Sequence, residues 1–95
     1  MINVPLTHDE NERFDFVANC ISSIRIEIKS ARRAISEVHL DYDIERNLSR
    51  VDEYTDKGEF IVALRLLVSI MGERPAAEMG LAWKHTTQAA MLMLR

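Results

Sequence analysis

The chain reads as an all-α protein, a single-domain helical bundle. Three observations predict this. Only three glycines and two prolines interrupt 95 residues, too few for a turn-rich sheet protein. Apolar residues make up 47% of the chain and recur at helical spacing rather than in alternation. Most places where the spacing breaks carry a helix stop or start signal. The length suits one domain over residues 1–95, with helices expected at about 9–39, 43–57, 59–71 and 75–93.

The first helix follows a short lead-in, where Pro5 blocks an earlier start. Thr7 or Asp9 can cap it, and Asp9, Glu10, Glu12 and Asp15 gather where the helix dipole favours acids. Phe14, Val17, Ile21, Ile24, Ile28, Ala31, Ile35 and Val38 then fall at alternating spacings of three and four. That is a heptad stripe with no Gly or Pro inside it. A helix over 9–39 is ~45 Å long, more than the width of a domain of this size. It is therefore a spine along which shorter helices lie, or it overhangs and pairs with a second copy. An internal packing stripe is the simpler reading, and a homodimer seam is the alternative. Phe16, Cys20 and Ile26 lie off the stripe, so the helix is expected to be gripped on more than one side.

Asp43 or Asp41 can cap the second helix, whose apolar face is Ile44, Leu48, Val51 and Thr55. Gly58 ends it at a position where a left-handed backbone costs glycine nothing. Three residues, Lys57–Glu59, lead to the third helix, so the two form an antiparallel hairpin. Phe60, Ala63, Leu64, Leu67 and Met71 make one face of the third helix, and Ile61, Leu66, Val68 and Ile70 cover most of the rest. Only Arg65 and Ser69 leave a polar strip, so this helix is expected in the interior. Gly72 closes it. Pro75 suits the first position of a fourth helix, with Glu78 in its first turn. Met79, Trp83, Thr86, Ala90 and Met93 continue at helical spacing, and Gly80 weakens the early part, so a proper start only after Gly80 is the alternative.

No catalytic or cofactor motif emerges. His8, His39 and His85 each stand without a second ligand at metal-binding spacing, and they read as surface or capping residues. Asp41, Asp43, Glu45 and Asp52 imitate the spacing of a calcium loop. The sixth position is Arg46 where the turn needs glycine, and the twelfth is an aspartate where a longer bidentate glutamate belongs. Cys20 sits in an apolar helix and is expected to be a buried small hydrophobe. Asp52 and Asp56 are paired carboxylates with nothing apolar nearby to raise either pKa. The expectation is a protein without enzymatic activity and without a cofactor. A single cysteine fits a reducing compartment. The start of the chain shows no signal peptide. The longest apolar run, Phe60–Met71, is too short to span a bilayer. Together these predict a cytoplasmic protein that does not engage membranes.

Charge is more informative. The net charge of −3 argues against nucleic acid as a direct partner. The acids concentrate in residues 41–59, where seven face three bases. Asp41, Asp43, Asp52, Glu53, Asp56 and Glu59, interleaved with Tyr42 and Tyr54, form a candidate surface for a cationic protein. There the acids would steer and the tyrosines would pack. The blander reading is a solvated face partly neutralised by Arg25, Lys29, Arg32 and Arg33.

The segment Glu53-Tyr54, Gly58-Glu59-Phe60, Ala63-Leu64 and Leu67 resembles the small all-helical immunity proteins of bacterial contact-dependent inhibition and related polymorphic-toxin systems. The resemblance spans about Ile44–Met71. It implies a cytoplasmic protein that binds one cognate toxin domain, often a nuclease, and occludes its active site. Gly58, Phe60, Ala63, Leu64 and Leu67 carry over as scaffold. An acidic inhibitor would match a nuclease's basic groove, with Asp41, Asp43, Asp52, Glu53 and Asp56 as contacts and Tyr42 and Tyr54 as anchors. The alternative is a helical adaptor or regulator that dimerises through the stripe of the first helix.

Overall fold

The computed structural model describes residues 8–38, 41–75 and 77–94. The lead-in with Thr7 lies outside them, as do His39, Leu40 and the side chains of residues 8–11 and 14. Four helices account for nearly all the described chain: α1 (His8–Val38), α2 (Tyr42–Asp56), α3 (Phe60–Gly72) and α4 (Gly80–Met93). The protein is an all-α helical bundle. No helix among the described residues is long and apolar enough to cross a membrane.

α1 is the spine. Its buried side chains are Ile24, Ile28, Ala31, Ala34 and Ile35, the middle and later part of the predicted stripe. α4 runs back along it and makes the most extensive helix–helix interface in the molecule. Small residues allow this close approach. Ala31 and Ala34 on α1, with Ala82 and Ala89 on α4, are all buried, and without long side chains the two backbones come together. His85 adds a polar tie, its Nδ1 lying 2.6 Å from Glu27 Oε2.

α2 and α3 form the second layer. Asp41 caps α2, its carboxylate accepting from the Asp43 amide at 2.8 Å. Ile44, Leu48, Val51 and Thr55 are buried, as the spacing predicts. Thr55 keeps its hydroxyl satisfied in the core by donating to the Val51 carbonyl at 2.7 Å. At the hairpin Gly58 has φ +79°. Its amide donates to Thr55 O, and the Glu59 amide donates to Tyr54 O. These two bonds are the Schellman pair that closes a helix over a left-handed glycine.

Besides the off-stripe Phe16 and Ile26, which are exposed rather than gripped by a second neighbour, two expectations change. α3 is not an interior helix. Ala63, Leu67, Ile70 and Met71 are buried, but Ile61, Val62 and Val68 are exposed. Three neighbours cannot surround α3 once α4 has settled against α1. The second change is that α4 begins at Gly80 rather than Pro75. Pro75 and Glu78 lie in a turn, the Glu78 amide donating to Pro75 O at 3.0 Å. Met79, almost fully buried, has a non-helical backbone. Driving Met79 into the core sets the corner at which the chain turns back along α1. The buried face of α4 is Met79, Ala82, Thr86 and Ala89, while Trp83, Ala90 and Met93 are half-buried beside it.

The molecule measures 51 × 25 × 17 Å, with a radius of gyration of 16.0 Å. A compact domain of this length would have about 12 Å. The excess comes from the first part of α1, which projects past the other helices.

Candidate functional site

The phase of α2 decides how the acids of residues 41–59 are divided. Burying Ile44, Val51 and Thr55 puts the residues one position later, Glu45, Asp52 and Asp56, on the edge beside α1. There they meet the basic stretch of α1. Arg32 donates from Nε to Asp52 at 3.1 Å and from Nη2 to Glu45 at 3.3 Å. Ser36 donates to the other oxygen of Glu45 at 2.6 Å. Lys29 Nζ lies 3.1 Å from Asp56. A groove of about 610 Å³ follows this seam, lined by Lys29, Arg32, Arg33, Ser36, Glu37, Asp52 and Asp56. Three bases oppose three acids, so neither an anion nor a cation is favoured there. Of the predicted contacts, Asp52 is thus turned toward its own chain, while Asp56 pairs with Lys29 yet keeps 65% of its side-chain surface exposed. The signal was present in the sequence, since these acids directly follow buried positions.

The outer face of α2 is different. Asp41, Tyr42, Asp43, Glu53 and Glu59 are all exposed. Tyr42 is 78% exposed, one of the most open large side chains among the described residues. Tyr42 and Glu53 are eleven residues apart, close to three full turns, so they share one face. Arg46, Arg50 and Lys57 are exposed on the same helix and its cap, and Arg46 approaches Asp43 at 3.9 Å. Asp41, Asp43, Glu53 and Glu59 against these three bases leave an excess of one negative charge. The result is a mixed-charge strip headed by a tyrosine rather than a uniformly acidic plate. Tyr54 is not part of it, because it is half-buried and packs against the core. Glu59 stands before α3 without a side-chain capping bond.

Three further features complete the surface. An apolar hollow of about 310 Å³ lies between α3 and α4, lined by Ile61, Leu64, Arg65, Val68, Thr86 and Ala90. Sequence reasoning missed it by assigning those α3 side chains to the interior. His85 is not isolated. It meets Glu27 across 58 residues of sequence, a separation that local spacing cannot reveal. Cys20 is half-buried rather than buried. The helical course of residues 42–56 also leaves Asp43, Glu45 and Asp52 on a helix, not on a calcium loop. Among the described residues no three His, Cys, Asp or Glu side chains come together in a way that could hold a metal ion.

Comparison with protein-family models, with curated proteins and with solved structures finds no match.

Proposed function

We propose that this chain is a cytoplasmic immunity protein that binds and neutralises a cognate toxin domain. The outer face of α2 supplies the contact. The observation that carries the reading is Tyr42, a large aromatic at the head of a helix, held almost clear of its own fold. Tyrosine and arginine are the side chains on which protein–protein affinity concentrates, and Tyr42, Arg46 and Arg50 lie together here. Asp41, Asp43, Glu53 and Glu59 supply the negative component that would steer a basic nuclease domain toward this strip. Asp52, paired with Arg32, contributes to binding only through the fold, whereas the exposed Asp56 can add to the negative component at the edge of the strip. The resemblance around Gly58-Glu59-Phe60 supports the toxin assignment and the nuclease class that goes with it, and the net charge of −3 supports a basic partner.

The test is to look for a toxin module encoded beside the gene for this chain and to co-express the two. Protection of the cells and recovery of a one-to-one complex are expected. Tyr42→Ala should weaken the complex by roughly thirtyfold or more, the effect of losing a central aromatic anchor. Asp52→Asn should leave affinity near its original value. Absence of both protection and complex formation would overturn the assignment. Unchanged binding by the Tyr42 variant would move the contact elsewhere on the surface. The alternative, an adaptor that dimerises through α1, is favoured by one observation, the exposed apolar start of that helix.

A further inference from the structure

α1 is longer than the bundle it anchors. Leu81 and His85 of α4 share a cleft with Ser30, Ala34 and Glu37. Further along α4, Gln88, Met91 and Leu92 share one with Glu27. At the start of α3, Arg25 lies over the Phe60 ring, 5.8 Å from its centre. Gly58–Val62 and Met93 border a common hollow. The bundle therefore ends near residues 20–25 of α1. Beyond that level the described side chains of residues 12–19 are all exposed, on a projection of ~18 Å from His8 to Asn19.

The projection keeps its apolar stripe. Val17 and Ile21 are in phase with the buried Ile24, Ile28, Ala31 and Ile35, so they face the side on which the core would continue. Val17 is 53% exposed, Ile21 is also open, and Phe16 flanks them. The end of the bundle offers a second wall, where Ile61, Val62 and Leu94 are exposed and Phe60 and Met93 are half-buried. The two walls make an apolar elbow.

We propose that this elbow is a self-association surface. Two copies pair antiparallel through residues 12–21 of α1, each covering Ile61, Val62 and Leu94 of the other. An elbow of this shape is self-complementary under a two-fold axis, as an isologous interface must be. Charge selects the antiparallel arrangement. Residues 9–15 carry four acids and one base, and antiparallel pairing brings them toward Arg25 of the second copy. Parallel pairing would put two acidic ends together. Six open apolar side chains, Phe16, Val17, Ile21, Ile61, Val62 and Leu94, form the apolar centre that a complex burying ~800 Å² per partner needs, with the polar groups around them as its rim.

Sedimentation velocity tests this, independently of toxin binding. The chain should sediment at twice the monomer mass. Val17→Asp should sediment as a monomer with unchanged circular dichroism and a denaturation midpoint that no longer depends on protein concentration, since Val17 makes no core contact within one copy. In a Cys20→Ser background, Val17→Cys should form a disulfide-linked dimer on oxidation. Arg13→Cys should not, because antiparallel pairing centred near residue 17 separates the two copies of position 13 by ~12 Å along the axis, beyond disulfide reach. A wild-type chain that stays monomeric at all accessible concentrations overturns the proposal, as does a Val17→Asp variant that stays dimeric. Cross-linking through position 13 overturns the antiparallel arrangement.

Discussion

Arg32 stands between two carboxylates of α2, and that placement divides the acids of the arm into an inner and an outer set. Its guanidinium is mostly shielded, whereas Glu45 and Asp52 keep over a third of their side-chain surface in water. Arg32→Met should therefore cost only about 1 kcal/mol in urea denaturation, because water can recover the two carboxylates. A loss above ~3 kcal/mol would show a more deeply buried network. Thr55 poses the opposite case. Its hydroxyl is fully buried, but it bonds a carbonyl of its own helix that α-helical geometry already satisfies. Thr55→Val keeps the shape and removes only that back-bond, so the unfolding free energy from urea denaturation should stay within about 0.5 kcal/mol of wild type. The basic stretch of α1 was legible in the sequence as a neutralising surface. The choice of Glu45, Asp52 and Asp56 as its partners depended on the rotation of α2. Composition could not supply that rotation, although the apolar positions could.

At the level of elements Gly58 and Gly80 make a controlled pair. Neither a β-carbon on Gly58 nor one on Gly80 would meet any atom within 4 Å. Only Gly58 has a left-handed backbone, so Gly58→Ala isolates conformational strain and should lower stability by ~1–2 kcal/mol. Gly80 opens α4 with an ordinary backbone, and Gly80→Ala should raise stability by about 0.5 kcal/mol through helix propensity and a less flexible unfolded chain. Thermal melts of both variants would separate the two effects. Equal shifts in one direction would contradict the assignment of strain to Gly58. The hairpin was readable because its signals are local: a glycine at the cap and apolar residues at fixed spacing on both sides. The start of α4 was readable only in part, through the weak helix former Gly80. Pro75 and Glu78 are genuine helix-start signals, but the burial of Met79 outweighs them, and burial is decided by residues far away in sequence. The outward face of α3 escaped for a related reason. Its residue types suit an interior, and only the number of neighbouring helices shows that one side has nothing to pack on.

For the molecule as a whole, the stripe of α1 is uniform in sequence but not in environment. Residues 24–35 are clamped by α4 and the hairpin. Residues 12–19 have no neighbouring helix, and a helical segment of that length holds weakly in water. Amide exchange should show high protection from Ile24 to Ile35 and a steep fall toward Glu12. If the projecting segment self-associates, its protection should rise with protein concentration while that of Ile28 stays constant. Equal protection along α1 in dilute solution would contradict the projecting end. The lengths alone foreshadow the mismatch. α2, α3 and α4 hold 13 to 15 residues each, against 31 in α1. The alanine-lined α1–α4 interface also constrains the order of assembly. The hairpin can zip from neighbouring residues, but the first helix finds its main partner in the last. On the ribosome, therefore, α1 and the hairpin must wait with apolar faces uncovered until α4 has been synthesised. Closing that long loop should be the slow, chaperone-sensitive step of folding.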